Sequence, residues 1–196
     1  MENKLAKWIC RRLRSEQVVD DEYEEVYVYG LELIVSFLIS TSIIMTIGLL
    51  INQFLPTLTF LITFVLIRQF TGGYHATSYL MCKICTITCF GVTVLLANII
   101  SIPNYVFIIL AALGCLVILL FGPIENIHKP LTRQDKKRNK ITGFCLFAIW
   151  SLIGFLTSYW THTIRISNTI FFTLFVIIIL MIIPLLERRT HHEKAC

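Results

Sequence analysis

Apolar residues fall in six blocks separated by short polar segments. The blocks run roughly through Leu31–Ile51, Leu55–Phe70, Tyr79–Ile100, Tyr105–Phe121, Ile141–Trp160 and Ile166–Leu186. Most approach the ~20 residues with which a helix crosses a bilayer. The second block is short and ends in Arg68 and Gln69, so its lower end is expected to be irregular or buried in protein. Ahead of the first block, residues 1–14 read as an amphipathic helix. Leu5, Trp8, Ile9 and Leu13 fall near one face, and the basic residues fall mostly elsewhere. Such a helix can lie in the membrane interface, with Trp8 as anchor and its cations toward lipid phosphates. The plainer reading is a solubilising basic start. The connections are too short for a separate folded domain. The pattern predicts an all-α integral membrane protein of about six transmembrane helices with an N-terminal amphipathic interfacial helix. Residues 1–196 then form a single domain: the interfacial helix at 1–14, a six-span core at 31–186 and a cytoplasmic tail at 187–196.

Composition agrees with this reading. Of 196 residues, 56% are hydrophobic and 15% charged, too apolar for an ordinary soluble domain. No cleavable signal peptide is expected, because the first thirty residues are charged and lack an apolar core. Sixteen of the 17 Lys and Arg fall in the N-terminal segment, the second-to-third connection, the fourth-to-fifth connection or the tail, and Arg165 alone falls on the other side. The positive-inside rule then places both termini in the cytoplasm. The net charge of +5 follows from that topology, and nucleic acid is rejected as a partner. Most of the seven cysteines lie in predicted spans or at the cytoplasmic face, where thiols stay reduced, so no structural disulfide is expected.

The candidate chemistry lies between the second and third blocks, in Arg68-Gln-Phe-Thr-Gly72-Gly73-Tyr-His75-Ala-Thr77-Ser78-Tyr-Leu-Met-Cys82. A thiol needs a base or a positive field to act as a nucleophile near neutral pH, and His is the usual base. In one continuous helix, the seven steps from His75 to Cys82 would span about 10.5 Å. That is too far for a hydrogen bond of roughly 3 Å between the side chains. A working pair therefore requires the chain between them to fold back. Gly72 and Gly73 can supply the turn, and Thr77 or Ser78 can cap a new helix. With Ser78 as N-cap, Cys82 falls in the first turns, where the helix dipole favours a thiolate. The plainer alternative is structural: a His at an interface is often a satisfied polar group, and a Cys in a span is mostly packing.

The other polar features are less specific. Glu16, Asp20, Asp21, Glu22, Glu24 and Glu25 read as a solvated linker, or as a docking site for a basic segment. Glu32 lies inside or at the lip of the first span and is a functional candidate by default. Cys82, Cys85 and Cys89 share one helix face. They raise a metal or redox reading, but three thiols over two turns with His75 make a poor tetrahedron, and Cys85 and Cys89 suit packing. Gly122, Pro123 and Pro130 mark an ordered turn, and Glu125, Asn126 or His128 could orient His75. The basic run Arg133–Lys140, with Lys136, Lys137 and Arg138 at its centre, reads as a solvated face or lipid anchor, or as a binding site for an acidic segment. The tail, with adjacent His191 and His192, is expected to be disordered and is assigned no metal.

The spacing Arg68-x3-Gly72-Gly73-x-His75-x6-Cys82, set in six spans, resembles the accessory gene regulator protein B (AgrB) family of bacterial quorum-sensing processing enzymes. The likeness takes in the basic amphipathic start, the Gly-Gly-Tyr-His-Ala-Thr-Ser run, and Pro123-Ile-Glu-Asn-Ile-His-Lys-Pro130 with the basic residues after it. It implies a membrane cysteine endopeptidase acting on a short AgrD-like precursor peptide. The enzyme removes an acidic C-terminal tail through a peptidyl-thioester and promotes closure of the signal into a thiolactone or lactone ring. By the resemblance Cys82 is the nucleophile and His75 the base, while Arg68, Gly72 and Gly73 shape the site. Membrane lipid is the other expected partner, and short loops with wide apolar faces permit a homodimer. No cofactor and no metal are expected. The competing readings are a small membrane transporter of a peptide and a Cys/His metal or redox membrane protein. Few intramembrane charges and no evident inverted repeat argue against the transporter.

Overall fold

The computed structural model describes residues 2–15, 24–72, 79–124, 132–160 and 164–193. Seven helices account for nearly all of them: α1 (Glu2–Ser15), α2 (Glu24–Leu50), α3 (Phe54–Thr71), α4 (Tyr79–Ile99), α5 (Asn104–Phe121), α6 (Arg133–Thr157) and α7 (Ile164–Glu193). Six of these, α2 to α7, are long and apolar enough to cross a membrane. Large apolar side chains stand exposed on their outer faces, among them Ile108, Ile109, Leu116 and Leu120 of α5. Water would disfavour such a surface and lipid accommodates it.

Helix α7 forms the axis of the bundle. Of its membrane window 56% is buried inside the protein, against 17% for α2. Its Ile170, Leu174, Ile177 and Met181 are fully enclosed, and it packs on α3, α4, α5 and α6. Small residues let the helices close in, as expected where apolar lipid supplies no hydrophobic drive for helix association. Gly114 of α5 leaves the space that the ring of Phe147 on α6 occupies, and Gly154 of α6 does the same for Phe107 of α5.

The bundle end formed by the α2–α3, α4–α5 and α6–α7 connections is held by side-chain hydrogen bonds. Asn168 Nδ2 donates to the carbonyls of Ala97 (3.2 Å) and Ile100 (2.9 Å), which the end of α4 leaves without helical partners. Ser167 Oγ donates to the Gly154 carbonyl at 2.7 Å, and Ser158 Oγ to Asn104 Oδ1 at 2.9 Å.

Helix ends depart from the apolar blocks in four places. α2 starts at Glu24, so Glu24 and Glu25 are helical and not linker. Acidic residues in a first turn complement the helix dipole, and Glu24 also accepts from Arg14 of α1 at 3.2 Å. α3 continues unbroken to Thr71, so its lower end is regular, and it is buried in protein through Ile67 and Thr71, the other alternative expected. α6 starts at Arg133, eight residues before its apolar block, because Thr132 Oγ1 caps the Asp135 N–H at 3.2 Å. α7 continues to Glu193 past the apolar block, so the expected disordered tail is helical over most of its length. Helix α1 lies along α2 through buried Ala6 and Cys10 and leaves Leu5 and Trp8 exposed, as an interfacial helix requires.

Candidate active site

Cys82 sits in the first turn of α4, which begins at Tyr79. Amide N–H groups in a first turn have no partners within the helix, so their positive end favours an anion there. Arg68 approaches from the last turn of α3. Its guanidinium lies over the Phe64 ring at 5.3 Å, and it is within electrostatic reach of the Cys82, Cys85 and Cys89 thiols. The ring stack behind it is continuous: Phe64 stacks on Phe60 at 5.2 Å, and Phe60 tilts against Phe90 of α4 at 5.4 Å. The aromatic contacts join α3 to α4 and set the height at which Arg68 faces the thiol. Cys82 is half-buried, and its carbonyl accepts from Thr86 Oγ1 at 2.9 Å.

Phe64, Arg68, Cys82 and Thr86 line one cavity of about 470 Å³ between α2, α3 and α4, to which Asn139 of α6 also contributes. Arg68, Gly72 and Cys82, three residues that the sequence pattern singles out, meet there. Gly72 has a positive φ of 69°. A Cβ on it would collide with the carbonyl of Ile124. The close approach is a backbone tie: Ile124 N–H donates to the Thr71 carbonyl at 3.0 Å, and Gly72 and Ile124 form an isolated parallel bridge. The α5–α6 connection is thereby pinned where the chain leaves α3. α6 closes in beside it, since a Cβ on Gly143 would stand 3.0 Å from Thr71 Cγ2.

The basic run divides between two faces. Asn139 lines the cavity, while Lys137 and Arg138 are exposed and face away. Arg138 pairs with Asp135 at 3.0 Å. Lys136 is half-buried one turn before Asn139, on the same helix face, without lining the cavity. Gly73, Tyr74, His75, Thr77, Ser78, Glu125, Asn126 and His128 lie outside the described residues, as do Pro130 and the acidic segment 16–23. Glu32 is buried in α2 but does not line the cavity. Among the described residues no group of three or more His, Cys, Asp or Glu could hold a metal. The site also draws in residues that the sequence pattern did not mark: Lys83, Gln69, Asn139, Ser36 and Ser40. Lys83 follows Cys82 directly and was legible only as a topology charge. Ser36 and Ser40 stand four residues apart on α2, a spacing that ordinary packing also produces.

The chain matches the family model for accessory gene regulator B over residues 2–184. It is 30% identical over 165 residues to a putative AgrB-like protein of Clostridium perfringens, covering 80% of this chain and 77% of that protein. A putative AgrB-like protein 2 of Clostridium perfringens is 26% identical over 189 residues, covering 88% and 87%. The accessory gene regulator protein B of Staphylococcus carnosus is 28% identical over 155 residues, covering 79% and 81%. No solved structure matches. A family match over nearly the whole chain, together with six membrane-length helices, shows that this multi-pass membrane protein belongs to the accessory gene regulator B family.

Proposed function

We propose that the protein is the processing endopeptidase of an accessory gene regulator quorum-sensing system, with Cys82 as nucleophile and His75 as base. The observation that carries this reading is Cys82 itself: a thiol in the first turn of α4, facing a cavity that it shares with Arg68. The substrate is an AgrD-like precursor peptide with an acidic C-terminal tail. His75 takes the Cys82 proton, and the thiolate attacks the carbonyl at the tail junction. Charge developing on that oxygen is met by N–H groups at the start of α4 or by Arg68. The C–N bond breaks, the imidazolium returns the proton to the departing amine, and a peptidyl-thioester stays on Cys82. A thiol within the peptide then displaces Cys82 and closes a thiolactone, or a hydroxyl closes a lactone. The thiol exchange trades one thioester for another, so water must be kept off meanwhile. A cavity walled by membrane helices suits that exclusion.

Orientation belongs to the same reading. The cavity end carries nearly all the basic residues, which supports a cytoplasmic position for it, for both termini and for the reaction. Gly72 and Gly73 shape the connection, Glu125 or Asn126 orients His75, and Lys136, Lys137 and Arg138 receive the acidic tail. The precursor's leader shares the membrane surface with α1, which raises its effective concentration. The whole chain acts as one domain, and its lipid-facing surfaces permit a homodimer. The test is intact mass after brief incubation with the precursor, for wild type and Cys82→Ala. The expected adduct equals the precursor minus its tail, is labile to hydroxylamine and is absent in the variant. Tail cleavage that survives in Cys82→Ala would overturn the reading.

A further inference from the structure

The cavity is not uniform along its length. Gly48 of α2 meets Thr57 of α3 side on. The two helices run antiparallel across a short turn, so this contact sets their register. Ile44 then stands level with Leu61, Ser40 with Val65, Phe37 with Arg68 and Leu33 with Gly72. From Gly72 to Leu61 the cavity reaches about 16 Å down α3, at roughly 1.5 Å per residue. All of its α4 residues, Cys82, Lys83 and Thr86, come from the first two turns of that helix. The end near Gly72 carries Arg68, Gln69, Lys83 and Asn139, set among Leu33, Phe37, Phe70 and Ile124, and lies beside the basic start of α6. The inner half carries no charged group: Ile44, Leu61, Phe64 and Val65 line it, with Ser40, Thr41 and Thr86 as its polar side chains. Cys82, one residue before Lys83 on α4, sits with Arg68 at the charged end, with the uncharged half below them.

We propose that the inner half is the subsite for the acyl side of the scissile bond, and that it selects apolar side chains there. A peptide carbonyl placed at Cys82 leaves two directions for the chain. The end that holds Arg68 and Lys83, beside the basic start of α6, accepts the departing amine side. The apolar end accepts the side that stays on the sulfur. Its size suits a short peptide segment, since about 300–1,000 Å³ is the range of pockets that enclose small ligands. The polarity gradient thus fixes which way a precursor lies across the thiol, and it keeps water from the thioester on the acyl side. Ile44, Leu61 and Ser40 are the specificity-determining residues. The peptide's identity rests on the proposed protease activity, but the shape and polarity of the subsite do not.

Two readouts separate the two claims. The first needs no catalysis. Purified protein is alkylated with N-ethylmaleimide or N-benzylmaleimide, and rates at Cys82 and Cys145 are read by peptide mass mapping. Cys145 is exposed on α6, so it corrects for partition of the reagent into detergent or lipid. The benzyl reagent should gain about tenfold at Cys82 over its gain at Cys145, the order that added apolar contact in a pocket yields. Leu61→Trp and Ser40→Phe, which fill the space from two helices, should each erase that gain. The second readout is cleavage of precursors with Leu or Asp on the acyl side of the junction. Wild type should prefer Leu by at least about a hundredfold, and the filled variants should lose the Leu substrate while sparing one with Gly. No benzyl gain in wild type, or a gain that survives both fillings, overturns the subsite. So does a gain that added phospholipid abolishes, which would give the space to a lipid acyl chain. Cleavage that persists in Cys82→Ala overturns the protease reading alone, and the alkylation rates still decide the subsite.

Discussion

The two ends of the bundle are built on opposite principles. At the end remote from the cavity, side chains satisfy the carbonyls of helix ends: Asn168 reaches Ala97 and Ile100, and Ser167 reaches Gly154. Those residues are buried and spent on structure. At the cavity end a backbone tie, Ile124 to Thr71, joins two connections, and Arg68, Gln69, Lys83 and Asn139 line the cavity. The contrast separates polar groups that close a membrane bundle from polar groups that line a cavity. An intramembrane polar residue is a functional candidate by default, yet here its surroundings decide. Asn168 has two carbonyl partners deep in the protein, while Arg68 looks across a cavity at a thiol.

Substitutions at each end should therefore fail in different ways. The largest effect is expected at Gly72. Gly72→Ala forces a Cβ against the Ile124 carbonyl at a φ of 69°. Tail cleavage should fall about a hundredfold, because small misplacements of reacting groups cost that much, while helix content is kept and the loss of stability stays within the ~1–3 kcal/mol of one strained site. Activity that falls only in step with the amount of folded protein would contradict the division between the ends. The converse case is Asn168→Leu. Each lost bond should cost about 0.6–2 kcal/mol, as interhelical hydrogen bonds in membranes do, which thermal unfolding reads directly. Cleavage at a permissive temperature should stay within about twofold of wild type, since surviving folded protein keeps its site.

Reversing the charges of Lys136, Lys137 and Arg138 should act more mildly. The KM for a precursor with its acidic tail should rise several-fold, and the rise should shrink in high salt. A precursor with a neutralised tail should respond little. If both precursors respond alike, the run serves topology or lipid. The smallest effect belongs to Arg14→Ala. Its pair with Glu24 is solvent-exposed, at 3.2 Å, and exposed pairs are worth about 0–1 kcal/mol. Unfolding should barely move, and cleavage should not.

Much of the fold was legible in the chain because lipid imposes a simple rule: every span must be a long apolar helix. The six blocks are the six spans. Helix ends were less legible, since polar residues extend helices without apolar character. Thr132 and Asp135 form a capping pair that carries the α6 start through a basic run, and the spacing Thr-x-x-Asp was there to be read. Arg68, Gly72 and Cys82 were marked by a close local pattern. The cavity around them was not, because it arises from the register of α2 against α3. Gly48 sets that register by meeting Thr57, and nothing local to Ser40 or Ile44 announces that they sit below a thiol. Lys83 and Asn139 likewise acquire meaning only from what stands across the cavity.

The central claim is that the Cys82 thiol carries the acyl half of a cleaved peptide. Intact mass of the protein, taken seconds after mixing with its precursor and again after hydroxylamine, tests it most directly. The expected result is a wild-type adduct of precursor minus tail that hydroxylamine removes, with none in Cys82→Ala. Tail release by the Cys82→Ala protein, or an adduct that maps to Cys85 or Cys89, would contradict it.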